Sequence, residues 1–388
     1  MSPYRIVGHE MPEIIGIFAL LITLLTRPSI SVCNKYMLYM LYMWIIPPCC
    51  AIITGIPGDY SLSIIPVALI LMSCYLCILL PSVDKTMVLR YYRILVYLAV
   101  SFFVVQELSS FLLGYRPTLY LPFFEMYYED IDMAEFSSSR TSMARSSSFF
   151  LEPSHFAQYI LPYYCIVFSR YSNQKKNLLE FIFFSLVLLF LKAGVGYVTL
   201  IVIFFYYILK SDSLKLYQRI FIIFIGVLGF LGVTILFSNT EFISSILGRM
   251  GEFSIEVDPS GSQSGFIRIW RGYFIYGAMD TLNQIFGVGV AGVDYVSNAV
   301  YIPGSRFEGS FSNGIQGLLI MGGIVGLVLF LRYIISFSKK LDFTGHLIII
   351  AMMTLFFMEH MLNTPKMFLY ILLASCFAKP NKKLRNNI

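Results

Sequence analysis

Glu152, Pro153, Ser154 and His155 stand together behind Arg140 and Arg145, and this stretch is the part of the chain best equipped for chemistry. A carboxylate and an imidazole can each take a proton as a general base. A guanidinium holds phosphate oxygens through bidentate, permanently charged contacts that an ammonium does not make. Proline suits the first position of a helix, and Glu152 just ahead of it suits the positive end of the helix dipole. His155 therefore falls in the first turn of a helix starting at Pro153. The spacing fits a capping role for Glu152 and Ser154, with His155 at an interface, equally well.

A second group lies further on. Arg268, Arg271 and Arg306 share one long polar stretch with Glu252, Glu256, Asp258, Asp280, Asp294 and Glu308. Residues 266–285 have an amphipathic helical rhythm, which predicts a helix lying on a membrane surface with Trp270 at headgroup level and Arg268 offered to a phosphate. Plain anchoring explains any single arginine here as well. Gly287, Gly289 and Gly292 match a GxGxxG pattern, but no strand–helix–strand context surrounds them, so they read as a turn and not as a dinucleotide site. Arg306 and Gly317 have ten residues between them, a spacing that 27 glycines make easy to meet by chance.

The elements that must position these residues are mostly hydrocarbon. Of 388 residues 57% are hydrophobic and 13% charged, with mean hydropathy +0.75. Soluble domains carry about 25% charged residues. Apolar runs near the ~20 residues that cross a bilayer recur from end to end. The expected fold is all-α: one polytopic integral membrane domain over 1–388, with no repeat and no linker. Spans read as 13–32, 36–56, 62–81, 93–114, 153–169, 178–192, 195–210, 219–238, 311–336, 345–363 and 366–378, about eleven transmembrane helices (10–12). Basic residues such as Arg27, Lys85, Arg170, Lys210, Lys339 and Lys382 fall on one side of this arrangement, which is therefore cytoplasmic. Two long loops, 115–152 and 239–310, face outward.

The net charge of +6 is scattered through short loops and gives no footprint for nucleic acid. The first apolar run lacks a basic front and a small-residue cleavage site, so no cleaved signal is expected. None of the seven cysteines falls in the two long loops, and Cys74 and Cys77 sit inside an apolar run, where buried packing is the natural reading. Ionisable groups at membrane depth are functional candidates by default. Lys192, Glu359 and His360 all lie near outward helix ends and could line one cavity, although snorkelling or helix packing also accounts for them. Gly322 and Gly326 read as a close helix contact.

The run from Arg145 through the serines to Phe150, Leu151, Glu152, Pro153, Ser154, His155, Phe156 and Ala157 resembles the mid-chain signature of bacterial O-antigen and exopolysaccharide repeat-unit polymerases of the Wzy type. Arg268 with Trp270, Phe286 with Gly287 and Gly289, Ser312 with Asn313, and the glycine-rich run from Gly317 resemble the outer loop and following helix shared with O-antigen ligases. The likeness covers roughly 140–330. Ligases of this kind carry a His-Asn pair where Ser312 and Asn313 stand, and Lys192 stands where such proteins often carry an arginine.

The resemblance implies a GT-C-like glycosyltransferase in the bacterial cytoplasmic (inner) membrane. It would join oligosaccharide units carried on undecaprenyl diphosphate, with a flippase and a chain-length regulator as possible partners. Arg145, Arg268, Arg271, Arg306 and Lys192 become the expected diphosphate contacts. His155 or Glu152 becomes the expected base, with Arg140, Glu359 and His360 as further candidates. No cofactor and no metal is expected. A ligase that moves glycan to a lipid core, and a polysaccharide-unit transporter, are the alternatives.

Overall fold

The computed structural model describes residues 4–6, 9–10, 34–58, 84–117, 125–126, 146–150, 152–174, 177–210, 215, 217–219, 270–300, 312–362 and 364–379. The expected spans 13–32 and 62–81, the span 219–238 beyond Arg219, and most of both long loops lie outside these residues. The described chain is predominantly helical. A small antiparallel sheet of three short strands, β1 (Tyr4–Ile6), β2 (His9–Glu10) and β3 (Glu125–Met126), has the order β2-β1-β3 and pairs Arg5 with Glu10 and with Glu125.

The helices in chain order are α1 (Asn34–Ile53), α2 (Lys85–Leu113), α3 (Pro153–Gln174), α4 (Leu178–Phe190), α5 (Gly194–Lys210), α6 (Gly272–Ala278), α7 (Thr281–Phe286), α8 (Val293–Ala299), α9 (Gly314–Ser338), α10 (Phe343–Met358) and α11 (Pro365–Ser375). Among the described residues α2, of 29 residues, and α9, of 25, are long and apolar enough to cross a membrane. Ile94, Leu95, Leu98, Val105 and Leu108 of α2 are exposed, as are Leu179, Ile182, Leu186 and Phe190 of α4. Large apolar patches of this kind are unusual on a water-facing surface.

Local chemistry sets the helix ends. Asp84 caps α2 by accepting from the Thr86 and Met87 amides, and Gly114 closes it in the left-handed conformation at φ 65°. Asn313 and Gln316 form a reciprocal capping box at the start of α9. Asp342 caps α10 through the Gly345 amide.

The centre of the molecule is α10, which packs against α3, α5, α9 and α11. At one end of it Ser169 and Thr344 hydroxyls meet at 2.7 Å, and Leu341 and Ala378 form an isolated antiparallel bridge. The span expected over 345–363 ends early: α10 stops at Met358, residues 359–362 are not helical, and α11 begins at Pro365. Helix α9 is broken at Gly323, whose φ of 64° interrupts the hydrogen-bond ladder. A helix broken in apolar surroundings needs new partners for its freed carbonyls. Here the Val288 amide donates to the Ile320 carbonyl at 3.0 Å and the Gly289 amide to the Met321 carbonyl at 2.9 Å. The Tyr42 hydroxyl of α1 reaches both the Gly322 carbonyl (2.8 Å) and the Phe286 carbonyl (3.0 Å). The glycines of the GxGxxG run thus serve as a turn that fits the kink: Gly287 at φ 83° lies against the Met321 carbonyl with no room for a Cβ. Gly322 and Gly326 make the expected close contact, with Met43 of α1.

Candidate functional site

Four helix ends converge on one side of α10: the start of α3, the start of α9, the end of α10 and the start of α11. Buried polar side chains gather here, among them Gln158, Ser312, Asn313, Gln316 and Glu359. The backbone ties the ends together. The Gly314 amide donates to the Glu359 carbonyl at 2.9 Å, and Asn313 Nδ2 donates to the Phe357 carbonyl at 2.9 Å. From α11, Lys366 Nζ donates to Gln158 Oε1 at 2.7 Å, and the Tyr370 hydroxyl donates to the Gln158 carbonyl at 2.6 Å.

His360 lies in the α10–α11 connection, with its Nδ1 3.1 Å from the Ser312 carbonyl. A carbonyl only accepts, so Nδ1 carries the proton and Nε2 keeps its lone pair. Burial lowers the His360 pKa from its ordinary value; the Ser312 carbonyl works the other way, and nearby Lys366 adds to the lowering. The ring is therefore held neutral, in the tautomer a general base needs.

Arg271 stands where α6 meets the head of α9. It immediately precedes α6, and Gly272 packs so tightly on α9 that an added Cβ would sit 2.5 Å from Gln316 Cβ. That approach draws Arg271 inward until it is 3% exposed. Its Nη1 is buried and has no hydrogen-bond partner among the described residues. Burial lowers its pKa from the usual arginine value. A buried guanidinium without an acceptor costs several kcal/mol unless an anion arrives to meet it. The helix expected over 266–285 is thus corrected from its rhythm. It is described from Trp270 onward, breaks at Met279 and Asp280 into two short helices, and buries Arg271, Ile275 and Asn283 while Tyr273, Phe274 and Leu282 stay exposed.

The remaining expected residues are placed as follows. Pro153 opens α3 as its spacing predicts. Glu152 is exposed, accepts a hydrogen bond from the Ser154 hydroxyl at 3.0 Å, and its carbonyl receives the His155 and Phe156 amides, which is a capping role. His155 is half-buried one turn ahead of Gln158. Lys192 sits in the tight α4–α5 turn at φ 50°, and Gly196, just beyond, rests on Ala157 of α3. That contact sets the Lys192 turn beside the first turns of α3. Arg140, Arg145, Arg268 and Arg306 lie outside the described residues. Among the described residues no group of three or more His, Cys, Asp or Glu could hold a metal ion.

Sequence reading missed Lys366 and Gln158. The signal for Lys366 was present: an ammonium directly after Thr364 and Pro365, at the head of an apolar helix. Gln158 has none beyond being an amide in an apolar run. No family model, curated protein or solved structure matches the chain.

Proposed function

We propose that the chain is a polymerase joining undecaprenyl-diphosphate-linked oligosaccharide units into O-antigen, capsular or exopolysaccharide chains on the outer face of a bacterial cytoplasmic membrane. The observation that carries this reading is Arg271: a buried guanidinium whose Nη1 has no acceptor among the described residues, set against the head of α9. Such a group is preorganised for an anion that arrives with the substrate. The likeness of the Arg145–Ala157 and 268–327 segments to repeat-unit polymerases supplies the substrate class, and a lipid diphosphate is the anion that class offers.

In this reading the acceptor sugar hydroxyl attacks the anomeric carbon of the donor glycan. The new C–O bond forms as the bond to the diphosphate oxygen breaks, and the electron pair leaves with the lipid diphosphate. Arg271 meets the charge that develops there, and Arg145, Arg268, Arg306 and Lys192 remain proposed to assist it. The hydroxyl proton passes to Nε2 of His360, the histidine held neutral with that lone pair available. His155 is the second choice. Glu152, engaged as a cap and exposed, is the weakest of the three. Direct displacement inverts the anomeric carbon.

One observation favours the ligase reading as well. His360 occupies the space beside Ser312 and Asn313, where the ligase pattern carries its own histidine in sequence. The products separate the two. Purified protein incubated with an undecaprenyl-diphosphate-linked repeat unit alone gives a ladder of chain lengths if it is a polymerase. A ligase gives nothing until a lipid-core acceptor is added, and then a single transfer. Absence of both products refutes the glycosyltransferase reading and favours transport.

A further inference from the structure

At the far end of α6 from Arg271 lies a pocket of about 340 Å³, walled by Ile56, Met279, Val296 and Val300, with Asp280, Asn283 and Tyr295 as its polar members. We infer that this pocket is a sugar-binding subsite, formed by Asp280, Asn283 and Tyr295, that holds a ring of the glycan. The choice of a sugar rests on the glycosyltransferase reading above; the pocket and its chemistry do not.

The donor and acceptor inventory selects the ligand class. Asn283 is fully buried, and its Nδ2 is committed to the Thr54 hydroxyl at 2.9 Å and to the Asp280 carboxylate. Its Oδ1 is buried and accepts no hydrogen bond from the described residues. Asp280 takes the Asn283 amide on Oδ1 at 3.0 Å, which leaves acceptor capacity on an exposed carboxylate. The site thus offers spare acceptors and wants donors. A phosphate brings only acceptors and negative charge, and among the described residues no lysine or arginine lines the pocket. Sugar hydroxyls donate, and their C–H faces suit the exposed ring of Tyr295 and the aliphatic wall. The volume lies at the small end of the range for small-molecule sites, about 300–1,000 Å³.

Placement agrees with the chemistry. The seven residues of α6 rise about 10 Å. An anion at Arg271 and a sugar at Asp280 are therefore separated by the length over which a glycan leaves its diphosphate. Asp280 and Asn283 also fix the break between α6 and α7, so the polar groups of the pocket are held by the fold itself.

The test uses the full chain in nanodiscs and, as probe, the free repeat-unit oligosaccharide released from its lipid-linked precursor by mild acid, which carries no phosphate. Binding is read by saturation-transfer difference NMR. The wild type transfers saturation to ring protons of the sugar, and Tyr295→Ala and Asp280→Asn each weaken binding about tenfold. Both positions are exposed and asparagine keeps the Oδ1 cap at the loss of the second acceptor for Asn283 Nδ2, so each variant is first checked as folded by its thermal midpoint. No transfer in the wild type, or binding that both variants leave unchanged, overturns the assignment. Polymer formation is scored separately on the same protein. Sugar binding without any glycosyl transfer removes the polymerase reading and leaves the subsite standing; polymer without probe binding removes the subsite alone.

Discussion

Replacing Arg271 with methionine should make the protein more stable and less active. The side chain is 3% exposed, and its Nη1 has no partner among the described residues. An unsatisfied buried polar group costs about 1–3 kcal/mol, and a charged one more. Methionine has a similar reach and no charge, so Arg271→Met should recover at least about 1 kcal/mol, with Gly272 still free to seat α6 on Gln316. Thermal unfolding of the purified chain, followed by intrinsic fluorescence, should show a raised midpoint for the variant. Pyrophosphate should raise the midpoint of the wild type, because a ligand at a hundred times its Kd stabilises by about 2.7 kcal/mol. It should leave Arg271→Met unmoved. A variant that unfolds earlier than the wild type, together with a wild type indifferent to pyrophosphate, would refute the idea that Arg271 is held in reserve for an anion.

Three further outcomes are expected. His360→Gln should keep the contact to the Ser312 carbonyl through its amide and lower the rate of glycosyl transfer by about 10²–10⁴-fold, measured in single turnovers. The wild-type rate should fall as pH drops through the lowered His360 pKa, since only the neutral ring accepts a proton, and the acid limb should vanish in the variant. Gly323→Ala should destabilise the chain by about 3 kcal/mol or more, seen as lost folded protein after detergent extraction, because its Cβ would sit 2.3 Å from the Ile285 carbonyl oxygen at a φ of 64°. Asn313→Ala should cost about 1 kcal/mol or more in thermal unfolding, from the lost cap on α9 and the lost bond to the Phe357 carbonyl.

The start of α3 is legible because proline at a first helical position and a carboxylate ahead of it are local signals, and the helix begins at Pro153. The contact between the glycines of α9 and α1 is legible for the same reason: small residues four apart mark a close approach. What joins these elements is not local. His360 and Ser312 are 48 residues apart, and no pattern within either segment points to the other. The amphipathic rhythm over 266–285 places arginine on a polar face, yet Gly272 lets α6 press against Gln316 and carries Arg271 into the interior. The GxGxxG glycines are recognisable as a turn, but their partner, the broken ladder at Gly323, lies more than thirty residues on. Capping, turns and helix packing leave marks in the residues next to them. A site assembled from four helix ends does not.

The central claim, that a buried guanidinium at the head of α9 serves transfer from a lipid diphosphate, is tested most directly by the initial rate of chain growth. Wild type and Arg271→Met, both checked as folded, are given the undecaprenyl-diphosphate-linked repeat unit in proteoliposomes, and products are resolved by length. The account predicts a ladder from the wild type and a rate about 10²–10³-fold lower from the variant. A ladder of unchanged rate from Arg271→Met, or none from the wild type, would contradict it.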